Sequence, residues 1–121
     1  MPDAPTKILQ ECASELNDIA AYLMQNRGVL DLSDLSEKKS QLHNLRTKVS
    51  IHLSAKQQQR FNANMDEAED IMDGLIRQIM FQNHTGRNFT SDVRELCGFL
   101  RAAASLVWSL VALIMTINPH S

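Results

Sequence analysis

The side chains that could do chemistry in this sequence are few and widely spaced. The four histidines, His43, His52, His84 and His120, show no spacing typical of a metal site. The sequence contains no glycine-rich phosphate loop and no nucleophile elbow. It also lacks the Glu-x-x-His pairs that four-helix di-iron proteins use. The sequence therefore predicts a protein that is not an enzyme and that holds no metal and no cofactor.

One acidic pair is the exception that an enzyme hypothesis can use. The pattern Glu67-x-x-Asp70 resembles half of the acidic metal motif of helical nucleotide pyrophosphohydrolases. That family needs an E-x-x-E pair on a preceding helix. Here Glu11 and Glu15 are one residue too far apart, and Glu37 stands alone in its segment. A metal-dependent nucleotide hydrolase is therefore the weakest of three functional hypotheses.

A stripe of acidic residues and a pair of methionines lie side by side on the predicted third helix. Asp66, Asp70 and Asp73 share one stripe, next to the apolar positions Met65 and Met72. We predict that the stripe docks a basic protein partner, because charge steers association. We predict that the methionines line an adaptable apolar groove for another helix, as a second possible docking surface. The alternatives are a solvated helix face and ordinary core filling, and reversing the three charges is expected to leave the fold intact.

The two cysteines indicate a reducing compartment. Cys12 and Cys97 are far apart in sequence, form no C-x-x-C motif and fall on apolar helix faces. The N-terminus shows no basic segment followed by an apolar run, so no secretory signal is predicted. We expect buried free thiols in a cytoplasmic protein. The alternative is one disulfide between the first and last helices.

Composition sets the size and class of the protein. The chain has 121 residues, of which 44% are hydrophobic and 21% charged. Such a chain forms one domain with a substantial core, and wholesale disorder is excluded. The formal net charge of −2, with only one Trp, one Tyr and four Phe, argues against a nucleic-acid partner.

Apolar residues recur at spacings of three and four in four segments, which is typical of helices. Thr6, Asp34 and Ser54 are expected as N-caps, and residues 83–88 as the clearest loop. Because the connections are short, we predict a single all-α domain, a four-helix up-down bundle. The predicted helices cover about residues 6–27, 34–52, 55–82 and 91–117.

The last predicted helix is unusually apolar. Residues 102–117 contain no charge and would span about 24 Å, less than the roughly 30 Å of a membrane core. We therefore expect this helix to be buried in the bundle or in an interface, in a homo-oligomer or a heteromeric complex. A membrane anchor is the alternative. Trp108 is expected to be buried.

These observations favour a small non-enzymatic protein-interaction module, such as an adaptor, inhibitor, immunity protein or secretion chaperone. It would act by docking on a protein partner or by occluding it. The main alternative is a small membrane-associated protein anchored by its C-terminal helix.

Overall fold

The bounds of the helices come from a computed structural model, which describes residues 4–81 and 86–117. All four predicted helices are present, and the described residues contain no strand. The helices are α1 Ala4–Gln25, α2 Leu32–Ser50, α3 Ala55–Met80 and α4 Gly86–Ile117. The all-α class and the long apolar C-terminal helix are confirmed.

Two capping boxes fix where α2 and α3 begin. Ser54 and Gln57 form the predicted box at the start of α3. The cap of α2 is Asp31 instead of Asp34. Asp34 is the third helical residue, where its carboxylate accepts the backbone N–H of Asp31 at 3.1 Å. Asp31 in turn accepts the backbone N–H of Asp34 at 2.8 Å, so two unsatisfied donors are satisfied reciprocally.

Helices α1 and α4 begin earlier than predicted. Thr6 lies inside α1 and is buried, so it is not the cap. Helix α4 starts at Gly86, five residues before the predicted start, and Phe89 is buried against the core. Burial of this extra apolar side chain outweighs the local preference of polar residues for a loop. Within the predicted loop 83–88, residues 83–85 lie outside the described residues.

Each helix packs against its neighbours in the chain, and α4 closes the ring against α1. The interface between α1 and α4 is the most extensive, followed by that between α3 and α4. Three contacts show that α4 runs antiparallel to α1 and to α3. Gln10 contacts Met115 and Ala20 contacts Cys97 between α1 and α4, and Gln78 contacts Asp92 between α3 and α4. This arrangement is the predicted up-down order.

The core consists of the predicted apolar seams. Helix α4 buries a continuous inner side that includes Val93, Leu96, Leu100 and Val107. Helix α2 is different, because it buries only Leu35, Leu42, Leu45 and Val49 along its 19 residues. Its attachment to α3 therefore also depends on polar contacts.

Candidate functional site

The acidic stripe of α3 faces basic side chains of α2. Arg46 places Nη2 2.6 Å from Asp66 Oδ1 and Nη1 2.6 Å from Glu69 Oε2. The same guanidinium donates through Nε to Asn62 Oδ1 at 3.0 Å. Two turns further along, Lys39 forms an ion pair with Asp73. The stripe is thus part of the interface between two helices.

These ion pairs change the interpretation of the stripe. Asp66 and Asp73 form ion pairs with residues of α2. Asp70 is exposed and has no ion pair within the described residues. Reversing all three charges would set lysines against Arg46 and Lys39. The assumption that these are free surface charges is therefore wrong for Asp66 and Asp73, and we now expect the reversal to destabilise the contact between α2 and α3. The interhelical partners were missed because the spacing of residues along one helix does not show which helix lies beside it.

The predicted methionine groove is not open in this structure. Met65 and Met72 are both fully buried. They occupy inward positions of the α3 seam, where a flexible side chain fills irregular space between helices. They cannot contact a partner in this conformation, so they belong to the core and not to a surface groove.

Both thiols are buried and free, as predicted. Burial raises the pKa of Cys97 to about 11, a shift that Arg101 opposes. Its Sγ donates to the backbone oxygen of Ala20 in α1 at 3.3 Å. Burial likewise raises the pKa of Cys12, against the opposing charge of Lys48. Thiols held in the protonated form are poor nucleophiles, so these two cysteines act as core residues.

Trp108 is not buried: 40% of its surface is exposed, so this prediction is wrong. Trp108 follows the buried Val107, and one residue turns the side chain by about 100° around a helix. Helices α1 and α3 cover only the inward half of α4. Leu113 and Met115 are each 51% exposed for the same reason.

The uncovered side of α4 has a regular pattern, and we name it the outer face. Small residues form its exposed centre at spacings of four and three: Gly98, Ala102, Ser105, Ser109, Ala112 and Thr116. Trp108 and Met115 flank the centre on the side of α1, where Gln10 Nε2 lies 4.0 Å from Met115 Sδ. Leu106 and Leu113 flank it on the side of α3.

A shallow groove between α3 and α4 extends the outer face. Two adjoining open cavities, of about 150 and 520 Å³, share Arg60, Leu106 and Ser109 as lining residues. Ala63 and Ala102 form part of the floor. Arg60 makes no ion pair with any residue in the described part of the chain. The groove is therefore mainly apolar and carries one positive charge at its rim.

The described residues contain no group of three His, Cys, Asp or Glu side chains that could hold a metal ion. Glu67 and Asp70, the residues of the hydrolase hypothesis, are both exposed on α3. Within the ranges 4–81 and 86–117, no second carboxylate pair joins them to form a metal-binding group.

Comparisons with known proteins give no further guide to function. The chain matches no protein family, no curated protein and no solved structure.

Length and composition make α4 a candidate membrane span. Its stretch Phe89–Thr116 includes a window of mean hydropathy 1.8, of which 39% is buried inside the protein. The core helix of a soluble bundle has the same properties, so this composition favours neither location by itself.

Proposed function

We propose that this protein is a small non-enzymatic interaction module that docks on a protein partner or occludes it through the outer face of α4. The exposed apolar side chains on this face carry the proposal. Trp108, Leu113 and Met115 lie within two turns of each other on one helix. Most of the other exposed large apolar side chains lie at helix ends or in the connections: Val29, Leu32, Ile51, Met80 and Phe81. Contiguous exposed apolar surface on a small protein marks an interaction site more often than an accident of packing.

The character of the surface also supports docking over catalysis. The shallow groove beside the outer face contributes alanine, leucine and serine side chains and a single charged group, Arg60. Catalysis at this groove would require convergent titratable groups, and Arg60 is the one charged residue that lines it. The proposal includes a cytoplasmic location, which the buried free thiols support because they fit a reducing compartment.

The experiment compares capture of proteins by wild type and two arginine variants. Ser109→Arg puts a long charged side chain at the centre of the outer face. Ser40→Arg is the matched control, because Ser40 is an exposed serine within α2. Helix α2 makes its main contacts with α1 and α3. Tagged proteins are exposed to lysate of the native host, and captured proteins are quantified by mass spectrometry.

We expect proteins that wild type and Ser40→Arg capture equally and that Ser109→Arg loses at least tenfold, about 1.4 kcal/mol in binding free energy. This chain itself counts among the possible captured proteins. Equal capture by all three proteins would overturn the assignment of function to the outer face.

A membrane-associated protein is the second candidate, and the apolar stretch Phe89–Thr116 is the observation that favours it. In this case the outer face would lie against lipid, with the bundle at the membrane surface. The test is flotation with vesicles of neutral and anionic phospholipid, in the absence of detergent. Binding that Ser109→Arg abolishes would support the membrane candidate, and a protein that remains wholly in the aqueous fraction would exclude it.

A further inference from the structure

We propose that a second copy of this chain covers the outer face of α4, in an antiparallel contact with a two-fold axis near Val107. This inference rests on the proposed function, since it names the occupant of the same surface. It is carried by three properties of the described residues: the symmetry of the face, the charges at its rim and the area that it offers.

The central row of the outer face matches itself when it is turned end to end. Its exposed residues follow spacings of 4, 3, 4, 3 and 4, the pattern by which two helices pack along a seam. The row is symmetrical about residue 107. In an antiparallel contact Ser105 meets Ser109 of the second copy, and Ala102 meets Ala112 of the second copy. All these side chains are small, so the two helices can approach closely.

The flanking rows bring large apolar side chains together on both sides of the seam. Positions directly beside a seam face the equivalent positions of an antiparallel helix. Trp108 then contacts Trp108 of the second copy on one side, and Leu106 contacts Leu106 of the second copy on the other. This packing removes from water the 40% of the Trp108 surface that the bundle leaves exposed.

The rim charges of α3 are complementary under the same symmetry. Arg60 and Glu67 lie two turns apart and neither forms an ion pair within residues 4–81 and 86–117. Because Gln57 lines the groove with Leu113 and Gln78 contacts Asp92, Arg60 is level with residue 110 and Glu67 with residue 103. The two-fold axis brings residue 103 of the second copy opposite residue 111. Arg60 therefore lies level with Glu67 of the second copy, and their long side chains favour pairing.

Uncharged side chains of α1 form the opposite rim near the two-fold axis. Gln10 borders the outer face through its contact with Met115. Ser14 and Asn17 lie four and seven residues further along and share its side of α1. None of these three side chains is charged. Within the seam, the exposed charge on this side of α4 is Arg101, which lies level with residue 113 of the second copy. It is about 18 Å along the helix from Arg101 of the second copy, so the two guanidinium groups do not oppose each other.

The available area fits a weak but specific dimer. The seam from Gly98 to Thr116 is about 27 Å long at 1.5 Å per residue. With its flanking rows it offers roughly 500 Å² on each copy, or about 1,000 Å² in total, which is near the minimum for a biological interface. We therefore expect a dissociation constant in the micromolar range.

Two exposed serines at the centre favour a helix over lipid as the occupant. Neither Ser105 nor Ser109 has a side-chain hydrogen bond to another described residue, whereas Thr116 donates to its own helix at Ala112 O. Facing hydroxyls can pair across a helix contact. In hydrocarbon a hydroxyl can bond only to a carbonyl of its own helix, as Thr116 does, and gains no partner across the face.

The first experiment measures mass against concentration by sedimentation, without detergent, from about 1 to about 500 µM, a range that brackets a micromolar constant. Wild type should shift from its 13.6 kDa monomer toward twice that mass. Ser109→Arg should weaken association at least tenfold, and Ser40→Arg should not change it. Helix content and the unfolding midpoint of each variant show that the fold is retained. A wild type that remains monomeric over the whole range would overturn the proposal.

The second experiment tests the orientation of the helices. Ser105→Cys and Ser109→Cys proteins are oxidised separately and as a mixture, with wild type as the control for the native thiols. An antiparallel contact predicts a disulfide-linked dimer mainly in the mixture, because residue 105 faces residue 109. Preferential linkage of Ser105→Cys to itself would indicate a parallel contact and overturn the antiparallel one.

The outcomes separate this inference from the proposed function. A monomer whose capture of another protein depends on Ser109 would overturn the dimer and keep the interaction module. A monomer that binds vesicles through the same residue would overturn the dimer and support the membrane candidate. A dimer that Ser109→Arg dissociates supports the inference even if no other protein is captured.

Discussion

Replacing Arg46 by methionine tests whether the ion pairs between α2 and α3 stabilise the fold. The guanidinium contacts two carboxylates and one amide, and its side chain is only 22% exposed. Glu69 is 20% exposed, so its pair with Arg46 is worth about 1–2 kcal/mol. Asp66 is 64% exposed, and solvent reduces its pair to about 0.5 kcal/mol. With the bond to Asn62, we expect Arg46→Met to lower the free energy of unfolding by about 2–3 kcal/mol.

The measurement is urea unfolding followed by circular dichroism. Methionine retains the apolar stem of Arg46, so the loss reports mainly on the polar contacts. Lys48→Met is the matched control, because Lys48 is an exposed basic residue of the same helix without an ion pair among the described residues. We expect this variant to change the free energy of unfolding by no more than about 0.5 kcal/mol. A double-mutant cycle of Arg46→Met with Glu69→Gln should give a coupling energy of about 1 kcal/mol. Equal stabilities of Arg46→Met and Lys48→Met would refute the reasoning.

Two further predictions concern the core. The pKa of Cys97 is about 11 in the folded protein and 9.0 in an unperturbed thiol, so only the folded state retains this proton between those values. Stability should therefore fall as pH rises from 9 to 11, by about 2 kcal/mol more in wild type than in Cys97→Ala, and parallel profiles in urea titrations would contradict this. In dilute protein, Trp108→Ala should cost about 1–2 kcal/mol and Phe61→Ala about 3–5 kcal/mol, because Phe61 is fully buried. Comparable losses in thermal unfolding would show that Trp108 belongs to the core.

Local signals in the sequence were sufficient to predict the number of helices and their order along the chain. The spacing of apolar residues predicted which side of each helix is buried, because a helix places residues three and four apart on one side. Ser54 and Gln57 predicted the break between α2 and α3 correctly. The cap of α2 was predicted three residues too late, at Asp34 instead of Asp31. Both residues are acceptable caps, and only the backbone geometry distinguishes them.

The surface required the tertiary structure. Asp66 and Asp73 read as free charges because their partners, Arg46 and Lys39, lie on another helix about 20 to 35 residues away in sequence. Burial of Met65 and Met72 likewise depends on what packs above the α3 seam, which spacing along α3 cannot show. The type and charge of these side chains can be read from the sequence, but their neighbours in the fold cannot.

Helix α4 shows most clearly which features the sequence determines and which depend on tertiary packing. The sequence by itself determined that the helix is long and apolar around most of its circumference, because residues 102–117 contain no charge. Periodicity identifies the innermost row of such a helix, but it cannot show how far burial extends around the helix when apolar residues occur on all sides. The burial of Val107 on the seam was predicted correctly, but only packing against α1 and α3 decided that Trp108, one residue further along, is partly exposed. Two neighbouring helices can cover only part of the circumference of a third, and the uncovered part became the outer face.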